Sequence, residues 1–152
     1  MEALTQILHN KYIWVPFFTW FSIQVFKVIW DLIETRKLNF KRIMGAGGMP
    51  SSHSAVVTCL STLVGRSEGT DSPIFAVALI FAMVVMYDAA GVRRAAGKQA
   101  ACLNKIIMDL YKQDLQEAGG KLKELLGHTP MQVLVGAIYG ISYATLVHHL
   151  LG

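Results

Sequence analysis

Three long apolar runs and one shorter run divide this chain into predicted helices. The long runs cover residues 12–33, residues 73–86 with an extension to residue 91, and residues 130–151. A membrane-spanning helix needs about 20 mostly apolar residues, so each long run is predicted to cross a bilayer. The shorter run, residues 51–65, would extend only about 22 Å as a helix. We therefore expect either a short helix buried inside the bundle or a re-entrant segment there.

A different pattern lies between the third and fourth runs, in residues 92–129. Apolar side chains recur there at helical spacing, which predicts an amphipathic helix, at Leu103, Ile106, Ile107, Leu110 and Tyr111. This helix would lie on the membrane surface or pack on the cytoplasmic end of the bundle. Gly119 and Gly120 would end it, and residues 121–126 are predicted to form a second short helix before Gly127.

The composition supports a membrane protein. Of 152 residues, 53% are hydrophobic and 16% are charged, against roughly 45–50% and about 25% in soluble domains. These values exclude a disordered tail, a coiled coil and a charged nucleic-acid-binding arm. We predict one domain, residues 1–152, with an all-α fold. It would be an integral membrane bundle of about four apolar helices plus a cytoplasmic amphipathic helix, with the membrane as a partner and no nucleic acid.

The basic residues predict how the bundle is oriented. If all four runs cross the membrane, the segments after the first and third runs share one side. That side holds eleven of the fourteen Lys and Arg residues. Cytoplasmic loops are enriched in Lys and Arg, so this side is predicted to face the cytoplasm.

Three polar clusters fall on that predicted side. In the first, the glycine-rich residues 45–48 lead into Ser51, Ser52 and His53, with Lys41 and Arg42 just before them. A helix N-terminus offers free N–H groups and a positive dipole end, which together bind anions. The alternative is an ordinary loop with serine caps. A histidine in the first helical turn additionally suits proton transfer near neutral pH.

The second cluster combines Asp88 with Arg93, Arg94 and Lys98. Arginine presents a planar fork that matches phosphate oxygens. The alternative is a basic stop-transfer cluster. Asp88 would pair with an arginine, orient a histidine or lie solvated at the interface.

The third cluster is His128, Thr129, Pro130 and Gln132. Thr129 and Gln132 have the spacing of a capping box around a proline at the first helical position. His53 of the first cluster and His128 of the third suit metal-free phosphoryl transfer. One imidazole attacks phosphorus, the other protonates the leaving alkoxide, and nearby cations stabilise the phosphate oxygens. We expect no cofactor and no metal.

The segments GGMPSSHSA, YDAAGVRRAAGKQA and LGHTP resemble the small divergent branch of the type-2 phosphatidic acid phosphatase superfamily, which is related to vanadium haloperoxidases. The resemblance covers almost the whole chain. Residues 50–53 are similar to the superfamily's PSGH motif, which implies that His53 protonates the leaving group and that Ser51 and Ser52 hold phosphate. His128 matches the nucleophilic histidine, and Gln132 stands where that motif has an aspartate.

The resemblance implies a lipid-phosphate phosphatase of the bacterial plasma membrane, with its active site facing the cytoplasm. Two sets of residues are predicted. The catalytic set is His128, His53, Asp88 and Gln132, and the substrate-binding set is Lys41, Arg42, Ser51, Ser52, Arg93, Arg94 and Lys98. Phosphatidylglycerol phosphate is the first substrate hypothesis, and a polyprenyl phosphate or diphosphate is the second. A homodimer is a further hypothesis.

Two rival functions stay open. A non-catalytic membrane protein would keep the anionic-headgroup site as a lipid-binding or assembly module, which the glutamine at position 132 favours. A cation channel or transporter is suggested by Gln24 and Lys27 inside the first apolar run. The simpler interpretation is that Lys27 snorkels to the interface or pairs with Asp31, one turn along the helix.

Overall fold

The computed structural model describes residues 2–36, 48–110, 122, 124 and 127–151, and the residues given secondary structure there are helical. Six helices follow one another within these described residues. They are α1 (Glu2–Leu8), α2 (Lys11–Thr35), α3 (Ser52–Glu68), α4 (Pro73–Ala90), α5 (Val92–Leu110) and α6 (Pro130–Leu151). The first, α1, precedes the apolar runs and was not predicted.

Helix α3 lies at the centre, packed against α2, α4 and α6. Small and hydroxyl side chains make up most of its buried surface, including Ser54, Ala55 and Ser61. Such side chains let neighbouring backbones approach closely and find hydrogen-bond partners inside a bundle. A helix of this composition is therefore stable only when other helices shield it from lipid.

The helices that pack against α3 do not all run in the same direction as α3. At one end, the Tyr12 hydroxyl at the start of α2 donates to Glu68 at the end of α3, at 3.2 Å. At the other end, the His128 N–H just before α6 donates to Ala89 O at the end of α4, at 2.9 Å. Helices α2 and α4 thus run one way, and α3 and α6 run the other. The starts of α3 and α6 consequently lie at the same end of the bundle.

Polar residues ahead of the apolar runs begin the helices. Asn10 accepts a hydrogen bond from the Tyr12 N–H at 2.9 Å and caps α2. Ser72 accepts from the Phe75 N–H at 3.2 Å and caps α4, with Pro73 as its first residue. Each cap satisfies an N–H group that the first helical turn leaves unpaired.

Two glycines of α6 allow it to touch α3. Gly136 lies against the Ser51 carbonyl and Gly140 against the Ala55 carbonyl, so closely that a Cβ atom at either position would collide with backbone. The four-residue spacing places both glycines on one face of α6. The Thr58 hydroxyl also donates across this seam to Ala137 O, at 3.2 Å.

The structure confirms part of what the apolar runs predicted about membrane-spanning helices. In the part of the chain that the structure describes, three helical stretches are long and apolar enough to cross a membrane, namely Lys11–Thr35, Pro73–Leu110 and Pro130–Leu150. Helix α3 is not among them. It is the short buried helix that was one of the two alternatives for residues 51–65, and it still reaches from one end of the bundle to the other.

The predicted amphipathic helix corresponds to the second half of α5. Only Gly91 separates α4 from α5, so α5 begins earlier than the apolar pattern indicated. Its buried positions are Gly97, Ala100 and Asn104, whereas Leu103 and Ile106 are exposed. Of the short helix predicted at residues 121–126, the structure describes Leu122 and Glu124, and neither is helical. Tyr111, Gly119 and Gly120 lie outside the described residues.

The glycine seam gives a test of the fold. We expect Gly140→Val to lower the free energy of unfolding by about 1–3 kcal/mol or more, because the added side chain must push α3 and α6 apart. Ser142→Val adds bulk at an exposed position of the same helix and is the control. Thermal unfolding in detergent would measure both. Equal melting temperatures for the two variants would contradict the seam.

Candidate active site

Two histidines face each other at the end of the bundle where α3 and α6 begin. The ring centroids of His53 and His128 are 5.7 Å apart, with the rings at 72°. His128 is buried, with 3% of its surface exposed, and His53 is half-buried. Both ring nitrogens of His128 and Nδ1 of His53 are buried without a hydrogen-bond partner in the described part of the chain. Buried polar atoms are nearly always paired in folded proteins, so we expect water or a ligand to bind these nitrogens.

The position of His53 follows from the cap of α3. Ser51 is the N-cap, and its hydroxyl accepts from the N–H of Ser54 at 3.3 Å and from the Ser54 hydroxyl at 3.0 Å. The Ser51 N–H donates to Gln132 O at 3.0 Å. This last bond ties the start of α3 to the first turn of α6. It thereby places His53 beside His128, which lies two residues before α6.

Three contacts hold the segment that carries His128. The His128 N–H donates to Ala89 O. Gly127 has a φ of +81° and lies so close to the backbone of Arg93 and Arg94 that a Cβ atom would collide with it. These contacts pin His128 to the junction between α4 and α5.

A buried amide anchors the chain a few residues earlier. Asn104 of α5 is 2% exposed. Its Nδ2 donates to Leu122 O and Glu124 Oε1, both at 2.8 Å, and its Oδ1 accepts from the Leu122 N–H at 2.9 Å. The sequence analysis missed Asn104, because its role depends on a partner 18 residues away.

The structure places Lys27, which was expected to snorkel to the interface or to pair with Asp31, inside the bundle. It is 7% exposed, and its positive charge acts on both histidines. Thr19, Ile23 and Asp31 are buried on the same helix face, at four-residue spacing. Lys27 thus lies on the inner face of α2. This spacing was the available signal, since ionisable residues in spanning helices almost always face the bundle interior.

Burial, followed by the positive charge of Lys27, the neighbouring His53 and the charge of Arg93, together lower the pKa of His128 to about 4. The ordinary value is 6.5. The His128 ring is therefore neutral at neutral pH. A neutral imidazole has a lone pair available for attack on an electrophile.

Asp88 and Gln132 form their hydrogen bonds with groups other than the His128 ring. The Asp88 carboxylate accepts from Arg93 Nε in a half-exposed ion pair, and its charge also reaches His53. The Gln132 side chain accepts from the Thr129 N–H at 3.0 Å, and the Gln132 N–H donates to the Thr129 hydroxyl at 3.3 Å. The predicted capping box is thereby confirmed.

The predicted phosphate ligands are only partly brought together. Arg93 acts electrostatically on both histidines. Ser51 is used as the cap, and Ser52 is buried in the first turn of α3. Lys98 lies on an exposed part of α5, one turn beyond Arg94. Two further predicted ligands, Lys41 and Arg42, lie outside the described residues.

The arrangement suits an anion better than a metal. Within residues 2–36, 48–110, 122, 124 and 127–151, no three His, Cys, Asp or Glu side chains come together as a metal site. The two imidazoles face each other, and the charges of one ammonium, on Lys27, and one guanidinium, on Arg93, act on them. Cations of this kind stabilise phosphate oxygens, while the imidazoles can attack phosphorus and move protons.

Comparison with known proteins identifies the family of the chain. A family model described as "Divergent PAP2 family" matches residues 8–143. The chain is also similar to a Bacillus subtilis (strain 168) protein named "Uncharacterized membrane protein YuiD". The two are 48% identical over 128 residues, which is 78% of this chain and 81% of that protein. No solved structure matches.

The packing of Gly127 predicts how His128 titrates. In the intact protein, NMR of ring-labelled histidines should show His128 titrating near pH 4, below the ordinary 6.5. Gly127→Ala should raise that value towards 6.5, because the new methyl group displaces the segment from Arg94 and lets water reach the ring.

Gly69→Ala is the matched control. Gly69 also has a positive φ, of +87°, but it lies in the α3–α4 turn at the opposite end. That substitution should cost similar backbone strain and leave the His128 titration unchanged. A His128 that titrates near 6.5 in the unsubstituted protein would contradict the buried site.

Proposed function

The chain belongs to the divergent PAP2 family, and from that membership we propose that it is a membrane lipid-phosphate phosphatase, a phosphoric monoester hydrolase. The observation that supports this most directly is the pair of facing histidines, His53 and His128, with unpartnered buried nitrogens beside Lys27 and Arg93. Two imidazoles supply a nucleophile and a proton donor, and the two cations supply charge for the phosphate oxygens.

In the first step, a neutral His128 nitrogen attacks phosphorus. A nitrogen–phosphorus bond forms, and the bond from phosphorus to the lipid oxygen breaks. Protonated His53 gives its proton to the departing alkoxide, which leaves as an alcohol. The negative charge of the bound phosphate favours this protonated form of His53, although burial and the charges of Arg93 and Lys27 lower the pKa of its ring. Lys27 and Arg93 stabilise the equatorial oxygens.

In the second step, water attacks the phosphorylated His128. Neutral His53 accepts a proton from that water, and the nitrogen–phosphorus bond breaks. Inorganic phosphate leaves, His128 returns to its neutral form, and His53 is protonated again. The cycle consumes one water and the lipid phosphate, and it yields one alcohol and one phosphate. No step requires a metal.

The site would face the cytoplasm because Arg36 at the end of α2 and Arg93 and Arg94 at the start of α5 lie at the same end of the bundle as the histidines. A lipid phosphate made on that side is then the natural substrate class. Phosphatidylglycerol phosphate is the first substrate to test, and a polyprenyl phosphate or diphosphate is the second.

One observation favours a second candidate, a non-catalytic module that binds anionic lipid headgroups. The groups best placed by sequence to orient the His128 ring are Asp88 and Gln132, and their hydrogen bonds go to Arg93 and to the α6 cap instead. An imidazole without an orienting carboxylate is a weaker nucleophile. Such a protein would bind the phosphate and release it unchanged.

A measurement of phosphate release distinguishes the phosphatase from the lipid-binding module. Purified protein in detergent should release phosphate from phosphatidylglycerol phosphate or phosphatidic acid, and EDTA should not stop it. His128→Ala should reduce the rate about a thousandfold or more, because the covalent step is lost. His9→Ala, at an exposed position far from the site, is the control.

The contrary results have distinct meanings. No release together with intact headgroup binding would favour the lipid-binding module. Release that requires added magnesium would contradict the histidine mechanism, and Asp88 would then be the first residue to substitute.

A second prediction concerns pH. Because His128 must be neutral to attack and its pKa is about 4, kcat/KM should decline as pH falls below about 5. Lys27→Met removes a positive charge that lowers this pKa, so the decline should begin at higher pH. The same substitution should lower kcat about a hundredfold, since it removes a stabilising charge.

Lys11→Met makes the same chemical change at the far end of α2 and should leave the pH profile where it was. Lys27→Arg keeps the positive charge and should keep the acidic limb near its original pH. An identical acidic limb in Lys27→Met and the unsubstituted protein would argue against a role for Lys27 at the histidines.

A further inference from the structure

A cavity of about 540 Å³ lies between α2 and α6, next to the segment that leads into α3. Its walls are mainly apolar and include Ile23, Phe26 and Trp30 of α2 together with Val135 and Tyr139 of α6. This volume falls within the range of about 300–1,000 Å³ that is usual for small-molecule sites. The cavity can therefore hold part of an apolar chain.

Lys27 joins this cavity to the histidines. Its side chain lines the cavity, and its charge also acts on His53 and His128. Pro50, which lines the cavity as well, is three residues before His53. Lys27 therefore belongs both to the wall of the apolar space and to the electrostatic surroundings of the two histidines.

The second charged residue of the cavity indicates the orientation of a ligand. Glu34 lies seven residues beyond Lys27 on α2, about 10 Å along the helix. A carboxylate repels a phosphate group, whereas the Lys27 ammonium attracts it. A phosphate is therefore expected at Lys27 rather than at Glu34, with any apolar chain against Ile23 and Phe26.

The cavity borders the surface that a bilayer would cover. Phe26 and Trp30 are 48% and 59% exposed on a helix long and apolar enough to span a membrane. An amphiphile dissolved in the bilayer could reach this cavity sideways without passing through water. A water-soluble phosphate would gain nothing from these walls.

We propose that this cavity binds the apolar chain of a lipid phosphate monoester, while Lys27 holds its phosphate beside the two histidines. The proposal rests on the proposed function for its phosphate end. It makes α2 and α6 the determinants of specificity for lipid over soluble phosphate esters.

Narrowing the cavity should alter substrate selectivity. Val135 is half-buried in the cavity wall, and Leu134 is its exposed neighbour outside the cavity. The measured quantity is the ratio of kcat/KM for dioleoyl phosphatidic acid to that for glycerol 3-phosphate. Val135→Trp should lower this ratio at least tenfold, mainly through KM for the lipid. Leu134→Trp should leave the ratio within twofold, and a ratio unchanged in Val135→Trp would overturn the proposal.

A binding measurement needs no turnover. Trp14→Phe and Trp20→Phe, combined with His128→Ala, leave Trp30 as the single tryptophan of an inactive protein. Micelles containing phosphatidic acid brominated on its chain should quench Trp30 at least twofold more than equal amounts of brominated phosphatidylcholine. Unbrominated phosphatidic acid should reverse the difference, and glycerol 3-phosphate should not. Equal quenching by both brominated lipids would overturn the proposal.

The two experiments separate failure of the cavity from failure of the proposed hydrolysis. Phosphate-specific quenching in a protein whose unsubstituted form releases no phosphate would support the cavity and reject the phosphatase. Turnover without phosphate-specific quenching and without a selectivity change in Val135→Trp would support the phosphatase and reject the cavity.

Discussion

The close approach of α3 and α6 is the constraint on which the candidate site depends. Gly136 and Gly140 lack a Cβ atom, so the α3 backbone can lie directly against α6. The bond from the Ser51 N–H to Gln132 O then fixes the two helix starts at one level. His53 follows Ser51 by two residues, and the second histidine precedes Gln132 by four. The 5.7 Å between the rings is therefore a consequence of the helix register.

Burial of His128 and Lys27 near the starts of α3 and α6 lowers the stability of the fold but favours the chemistry of the site. A buried imidazole whose nitrogens lack partners costs the fold free energy, and so does a cation taken out of water. The same burial, reinforced by Lys27, keeps His128 neutral at physiological pH. A bound phosphate would relieve part of the first cost, because its oxygens accept hydrogen bonds from ring N–H groups. The proposed anion site would thus trade stability for function, as proteins commonly do at functional sites.

Much of the fold was predictable because it is encoded locally. The length of an apolar run and the Thr129–Gln132 capping box depend on neighbouring residues alone, and the structure contains both. The inner position of Lys27 was not predicted, because a pair with Asp31 four residues on explained it equally well without any other helix. Asn104 was missed for a related reason, since its partners belong to a segment without regular apolar spacing. Contacts between distant segments were predictable only where chemistry, as with the two histidines, suggested a shared purpose.

The period of α2 explains why a lysine is tolerated inside an apolar helix. Successive residues turn by about 100° in a helix. Phe26 is largely exposed and Val28 is half-buried, so a lysine one position earlier would face lipid. Position 27 shares its face with Thr19 and Ile23, which are fully buried. A spanning helix that contributes a cation to an internal site must place it on this face. Because that face also borders the cavity, the same lysine meets the apolar and the charged parts of one ligand.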